Sequence, residues 1–459
     1  MPPKRPRPTR RPNRAASKPK RTATPKATSA PSDQRLAAVP TARDLALHLL
    51  RGVLARRETL AELEASPPLS DAAAPDRARA GRLARATLRH LTQADATLKP
   101  FLDRAPRADI RDLLRLATIE ILVEGEAPHG VVHDAVTRAR TLQSRSAGMV
   151  NAVLRRVAET DAAAFHSHAA PRLPNWLRGR LSAAYGNARV ARMERVFATT
   201  PPLDLTLRAG EDPVHWAQLL EAEILPTGSL RRSHIGQVSA LPGFAEGAWW
   251  VQDAAAALGA RLLAPAAGTR VLDLCAAPGG KTLQLADTGA HVTALDISAP
   301  RLERLRENLA RTGLRAEIIA EDAQHWNPPA PFDAILLDAP CSATGTIRRH
   351  PDLTHTKDAS LLKSLLPLQT ALIERASAWL APGGRLVLCT CSLLPEEGEA
   401  LVETLGASLA PLGPDPDAMI AHMPPEWQTA PGQWRITPES WDSRGGIDGF
   451  FLAAFRKPA

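Results

Sequence analysis

Two short segments of this 459-residue chain carry thiols just past apolar runs: Asp338-Ala-Pro-Cys341 and Thr390-Cys391-Ser392. The runs before them, Ala334 to Leu337 and Arg385 to Cys389, read as buried strands. Both cysteines can therefore face one cleft at the carboxyl ends of strands in a single sheet. Such a pair suits alkylation of a carbon that is a poor nucleophile. C5 of cytosine is one, and a thiolate added at C6 turns it into an enamine carbon. An acid such as Asp338, bonding the base at N3 and at its amino group, would stabilise that adduct. The competing reading is that small cysteines pack in α/β cores. It is preferred for Cys389, which lies inside its strand, and it stays open for Cys275.

A second segment, Val271-Leu-Asp-Leu-Cys-Ala-Ala-Pro-Gly-Gly-Lys-Thr282, reads as a strand, a tight turn and a helix start. Its Gly280-Lys281-Thr282 invites a nucleoside-triphosphate reading. A phosphate loop needs glycine five residues before Gly280, where Cys275 stands, so that reading fails. Glycine instead lets backbone approach a ligand closely, and the next strand ends in Leu295-Asp296, whose carboxylate can accept bonds from both hydroxyls of a ribose. The combination suits a nucleoside cofactor. Asp322, after the third strand, is placed to meet an adenine amino group.

These residues need a scaffold, and after Trp250 the sequence supplies one. Short apolar runs, Arg270 to Leu274, His291 to Leu295, Ala316 to Ile319, Ala334 to Leu337 and Arg385 to Cys389, alternate with helical patterns such as Arg301 to Arg311 and Ser364 to Leu380. That texture predicts a parallel sheet covered on both faces. Earlier, Ala42, Leu45, Ala46, Leu49, Leu50, Val53 and Leu54 recur at helical spacing, as do Leu83, Thr87, Leu88 and Leu91, and then Ile110, Leu113, Leu114, Ala117 and Ile121. Nothing between Thr41 and Val157 alternates like a strand, so an all-helical domain is expected there. From Ala164 to Glu246 the pattern is mixed. Pro171, Pro174, Pro201 and Pro202 set off a helix near Trp176 to Phe197 from the residues after it, and the segment reads as a connecting subdomain.

The net charge of +9 resembles a nucleic-acid signature until it is located. Residues 1–30 hold ten Lys/Arg and no acid, which leaves 47 basic against 48 acidic residues elsewhere. With seven prolines and no Leu, Ile, Val or aromatic residue, this tail is expected to be disordered, serving either as a solubiliser or as a polyphosphate contact. Its proline density argues against a transit helix. Four cysteines are too few for a disulfide framework in so long a chain, and no Cys/His spacing matches a zinc site, so no metal is expected. No apolar stretch approaches the roughly 18 residues of a membrane span. A soluble, cytoplasmic protein without membrane contact is expected.

Together the motifs resemble the RsmB-type branch of the RNA cytosine-C5 methyltransferases, related to the nucleolar Nop proteins. The resemblance rests on Asp273-Leu-Cys-Ala-Ala-Pro-Gly-Gly-Lys281, Leu295-Asp296-Ile-Ser298, Asp322, Asp338-Ala-Pro-Cys-Ser-Ala-Thr-Gly345 with Arg348-Arg-His-Pro351, Cys389-Thr-Cys-Ser392 and Asp448-Gly-Phe-Phe451. Leu113-Leu-Arg-Leu116, Pro128-His129 and Gly148-Met-Val-Asn-Ala-Val-Leu-Arg-Arg156 resemble the NusB-like RNA-binding module fused to this branch. The implied fold class is an all-α NusB-like N-terminal domain plus an α/β Rossmann-like class I methyltransferase domain. The implied division is a basic tail at 1–35, the NusB-like domain at 36–163, a connecting RNA-binding subdomain at 164–245 and the methyltransferase domain at 246–459.

The family makes Cys391 the nucleophile and Cys341 the second cysteine, needed to release the methylated base. Related DNA enzymes attack from the proline-cysteine motif, so Thr390-Cys391-Ser392 favours RNA. S-adenosyl-L-methionine is the implied cofactor, with Cys275, Ala276, Ala277, Pro278, Gly279, Gly280 and Lys281 forming its loop. Asp296 would hold the ribose, Asp322 would lie near adenine, and Asp338 would stand between cofactor and target base. The fusion points to small-subunit (16S) ribosomal RNA as partner, and a monomer is expected. Transfer RNA is the alternative substrate, and an RNA-binding or antitermination factor without catalysis the alternative class, against which an intact pair of cysteines argues. Arg348 and Arg349 would grip phosphate beside the flipped base, unless they are an exposed charged loop. One departure is Leu205-Thr-Leu-Arg208, where members usually read Leu-Arg-Val-Asn; Arg208 is the residue that would substitute.

Overall fold

The computed structural model describes residues 40–233, 235–406 and 412–459. The tail expected at 1–35, with its disorder and phosphate contacts, lies outside them.

From Pro40 the chain is helical, with helices Ala42–Arg51, Leu60–Glu64, Ala74–Arg89, Leu91–Leu98, Ala108–Leu122, Pro128–Gln143, Ala147–Ala158 and Ala162–Ser167. Local chemistry starts the first. The Thr41 hydroxyl accepts the Asp44 N–H while the Asp44 carboxylate accepts the Thr41 N–H, a capping box that satisfies two end donors. The predicted apolar stripes then become the core: Leu45, Leu49, Leu50, Val53, Leu83, Ile110, Leu113, Leu114 and Ala117 are all buried in one cluster. Each such leucine contributes roughly 1.5–3 kcal/mol by leaving water. In Ala147–Ala158 the inward face is Val150, Val153, Leu154 and Val157, which leaves Arg155 and Arg156 in solvent.

The connecting segment differs from expectation in two ways. The helix expected near Trp176 to Phe197 is two, Asn175–Tyr185 and Asn187–Phe197, broken at Gly186, whose φ of 79° lies in the left-handed region that glycine tolerates. The chain then forms a small antiparallel sheet of β1 (Leu203–Leu207), β2 (Glu223–Ile224), β3 (Leu230–Arg232) and β4 (Trp249–Val251), in the order β2-β3-β1-β4. Leu203, Leu205, Leu230 and Trp249 form its buried face.

The large sheet contains β5 (Arg270–Leu274), β6 (His291–Leu295), β7 (Glu317–Ile319), β8 (Phe332–Asp338), β9 (Leu380–Thr390), β10 (Gly413–Pro414), β11 (Gln428–Ala430), β12 (Gln433–Ile436) and β13 (Phe450–Arg456). Among the described residues its order is β11-β12-β13-β9-β8-β5-β6-β7, with β10 beside β13. Strands β5 to β9 pair in parallel, as predicted from their continuous apolar runs. The sheet is nevertheless mixed, because β13 runs antiparallel to β9 and carries β12 and β11 beyond it. The chain order reverses between β5 and β8, which opens a crevice at their carboxyl ends, the place where α/β sheets take ligands. Apolar clusters cover both faces.

Candidate active site and cofactor turn

Strand β5 ends in the turn Cys275–Gly279, and a helix, Gly280–Asp287, begins directly after it. Cys275 and Gly279 both adopt positive φ, 64° and 108°. A Cβ on Gly279 would stand 2.3 Å from Leu305 Cδ1, so the turn admits only glycine there. Asp296, one residue past β6, accepts the Ala277 N–H at 3.0 Å through Oδ2 and the Ser298 N–H at 2.8 Å through Oδ1. Each of its oxygens keeps a lone pair for another donor. Beneath the turn lies Asp273, fully buried, with Oδ2 accepting the Thr282 hydroxyl at 2.5 Å and Oδ1 without a partner. Burial pushes this carboxyl up to about 7, helped by Asp338 and Asp296. Asp322 follows β7, and its Oδ1 accepts the Gln324 N–H at 2.9 Å.

Strand β8 delivers Asp338, whose Oδ2 accepts from Lys281 Nζ at 2.8 Å, so the turn after β5 and the Asp-Ala-Pro-Cys segment meet. Burial alone would lower the Lys281 pKa. Asp338 and other neighbouring negative charge outweigh it and hold the ammonium above the usual lysine range. The Cys341 and Cys391 sulfurs lie 3.4 Å apart, one past β8 and the other past β9. The bond with Cys391 pushes the Cys341 thiol up, and burial and the charge of Glu397 push it the same way. Cys389 is fully buried, and a Cβ on Gly259 would meet its sulfur at 2.5 Å, which fits the packing role expected of it. Cys275 is partly buried against the core beside the turn, and burial raises its thiol as well. A glycine-bearing turn, an acid–ammonium pair and two adjoining thiols thus share one edge of the sheet.

The model of the 16S rRNA methyltransferase RsmB/F family matches residues 260–456, and that of the NusB family matches residues 40–159. The chain belongs to the RsmB/F family. It is an RNA methyltransferase of the cytosine-C5 type, and membership implies ribosomal RNA as substrate and S-adenosylmethionine as methyl donor. Among its relatives is the Ribosomal RNA small subunit methyltransferase B of Xanthomonas campestris pv. campestris, 36% identical over 87% of this chain and 93% of the relative. The protein of the same name from Pseudomonas syringae pv. tomato is 36% identical over 79% and 84%. The solved structure of PH0851 shares the fold, with a TM-score of 0.66 over 89% of this chain and 99% of that one at 22% identity.

The methyltransferase departs from the sequence reading at its arginines. Arg348 and Arg349 do not form an exposed charged loop; buried carboxylates engage both. Arg348 is fully buried, with Nε donating to Asp448 at 2.5 Å, Nη2 paired to Asp253 and Nη1 donating to the Gly445 carbonyl at 3.0 Å. Arg349 donates to Asp253 at 2.6 Å and Asp448 at 3.2 Å. The reason is electrostatic: two buried carboxylates require cations, and the arginines satisfy them. Burial would raise Asp253, yet the two guanidiniums hold it well below the usual carboxylate range. The network reaches the small sheet through Asp204 and Arg231, 2.7 Å apart, and the helical domain through Arg89, which donates to the Arg348 carbonyl at 2.8 Å. Arg208 lies 3.6 Å from Asp287 at the edge of the small sheet.

Sequence reasoning missed Asp253 and Glu397. Both are buried, and neither stands in a motif that sets it apart from an exposed acid. Among the described residues no group of His, Cys, Asp or Glu could hold a metal, and no helix is long and apolar enough to cross a membrane.

Proposed function

We propose that the enzyme methylates C5 of a cytosine in small-subunit ribosomal RNA through a covalent adduct between Cys391 and C6. The observation that carries this reading is the pair of sulfurs 3.4 Å apart, past two adjacent parallel strands and beside the Asp338–Lys281 pair. In the first step the Cys391 thiolate forms a bond to C6, and the electron pair moves to C5. Asp338, its carboxylate steadied by Lys281, accepts from the exocyclic amino group and so orients the ring, while the charge of the adduct spreads from C5 onto N3 and O2.

S-adenosylmethionine supplies the methyl group as an electrophile. The residues present fit this donor: Gly279, packed against Leu305 at positive φ, holds the turn's shape, and Asp296 keeps lone pairs for ribose hydroxyls. In this reading the loop Cys275, Ala276, Ala277, Pro278, Gly279, Gly280 and Lys281 lines the donor, with Asp322 near adenine.

Attack converts Cys391 into a neutral thioether. That removes the hydrogen bond to Cys391, the largest of the causes that hold the proton on Cys341; this proton leaves to solvent, and Cys341 then takes the proton from C5. Loss of that proton restores the double bond as the C6–S bond breaks, which returns Cys391 as thiolate. The substrate assignment follows the small-subunit methyltransferases that the chain resembles over most of their length. Bisulfite sequencing of total RNA with and without the gene tests it. Loss of a single small-subunit cytosine mark is expected, whereas loss of a transfer-RNA mark alone would reject the assignment.

A further inference from the structure

The cleft also contains a buried carboxylate that the reaction itself does not use. Glu397 ends the short turn Pro395–Glu397 after β9 and is fully buried. Its Oε1 accepts the Ser342 N–H at 2.9 Å and Gln369 Nε2 at 3.0 Å, and its Oε2 accepts the Ser392 hydroxyl at 2.6 Å. Ser342 directly follows Cys341, and Ser392 directly follows Cys391. One side chain therefore grips the neighbour of each thiol. Gln369, on the helix Leu362–Trp379, also donates to the Pro340 carbonyl at 2.9 Å, which closes the bracket on the other side of Cys341.

All three donors to Glu397 are neutral, and the buried Arg435 guanidinium acts on it through charge without bonding it. A carboxylate taken out of water with no cation bonded to it is costly, and charge-assisted hydrogen bonds offset this only where their geometry is good. The two loops depend on it unequally. Cys391 lies one residue past a strand paired on both sides, its carbonyl accepts the Gly345 N–H at 2.9 Å, and the Ser392 carbonyl is bound by Arg435. Around Cys341 the backbone from Pro340 to Ser342 is held by Glu397, by Gln369 and by Lys357, which donates to the Ser342 carbonyl at 3.1 Å.

We infer that Glu397 is a positioning residue that clamps the Cys341 loop onto the Cys391 loop and so fixes the separation of thiols on which release of the methylated base depends. This rests on the assignment of attack to Cys391 and release to Cys341. Loosening the clamp displaces Cys341 more than Cys391, so attack and methyl transfer continue while release slows.

The test uses the full-length enzyme with S-adenosylmethionine and a 16S ribosomal RNA fragment. Glu397→Ala is expected to lower kcat by roughly ten- to a hundred-fold, the scale of a misplaced reacting group. KM for S-adenosylmethionine should stay within about twofold of wild type, because Glu397 touches none of the cofactor turn. A covalent protein–RNA band should persist on a denaturing gel, as for Cys341→Ser. Glu397→Gln should recover most of the turnover: its amide oxygen can accept from Ser342 and Gln369, and its amide nitrogen can donate to the Ser392 hydroxyl.

A folded Glu397→Ala that turns over like wild type, or that forms no adduct, would overturn the inference, as would a Gln variant no better than Ala. If the Ala variant does not fold, Gln369→Leu replaces it and should still retain adduct; release at the wild-type rate would count equally against the clamp. Cys391→Ser separates the two levels. An adduct in that variant rejects the assignment of the cysteines, whereas no adduct there together with a wild-type-like Glu397→Ala rejects the clamp alone.

Discussion

The cofactor turn and the cysteine cleft line the same carboxyl edge of one sheet, yet opposite strategies hold them. The turn is built mostly from residues close in sequence, glycine at a φ of 108° and a helix beginning at once behind it, and is tied to the next strand by the carboxylate of Asp296, which bonds two backbone N–H groups. The cleft joins two thiols fifty residues apart, which meet because buried polar side chains from further segments pull their loops together. Arg348 ends one of those loops in ion pairs with Asp253 and Asp448. A site of the first kind is set by local backbone conformation. A site of the second kind is set by desolvated charge, which is strong when complete and costly when one partner is removed.

The largest test of this difference is Arg348→Ala. It takes from buried Asp253 and Asp448 one of the two guanidiniums that pair with both, and removing one member of a buried pair costs about 3–5 kcal/mol. Urea unfolding should show a loss of that size, and a loss under about 1 kcal/mol, the scale of a surface pair, would mean that the network does not hold the cleft.

Asp273 gives a pH-dependent test beneath the turn. Burial raises its folded value from 3.8 to about 7, so the folded state favours the protonated acid. Its stabilising contribution is complete below the unfolded value and is lost as pH rises through the folded one. Relative to Asp273→Asn, the wild type should lose on the order of a few kcal/mol between those values. Thermal melts of both proteins across that range check it, and parallel curves would reject the raised acid.

A smaller effect is expected at Asp296. Charge-assisted hydrogen bonds to a ribose contribute roughly 1.5–3 kcal/mol, so Asp296→Ala should weaken S-adenosylmethionine binding about tenfold or more. Titration calorimetry giving an unchanged dissociation constant would remove Asp296 from the donor site.

The same contrast explains what could be read from the sequence. The turn was legible because its residues are contiguous, and the parallel strands because they are uninterrupted apolar runs. The helical domain was legible from its 3.6-residue stripes. Strands β1 to β4 were not, because they hold two to five residues each and the partners of β1, unlike those within the short β2–β3 hairpin, are distant. The antiparallel addition of β13 to β9 was missed although Phe450-Phe-Leu-Ala-Ala-Phe455 is apolar throughout, since an apolar run does not reveal the direction of its neighbour. Arg348 and Arg349 read as phosphate ligands because the carboxylates that bury them lie about a hundred residues away. Glu397 and Glu396 are adjacent and chemically identical, and only the folded chain distinguishes the clamp from its partly exposed neighbour.

The central claim is the division of labour between the two thiols, and covalent trapping tests it most directly. Each of Cys391→Ser and Cys341→Ser is incubated with S-adenosylmethionine and a 16S ribosomal RNA fragment, then run on a denaturing gel beside a nuclease-treated sample. A free thiol is only a few per cent thiolate near neutral pH, and a hydroxyl is a far weaker nucleophile still. Cys391→Ser should therefore be inactive and form no shifted band, while Cys341→Ser should form a nuclease-sensitive band that persists. A persistent adduct with Cys391→Ser and none with Cys341→Ser would contradict the account and assign attack to Cys341.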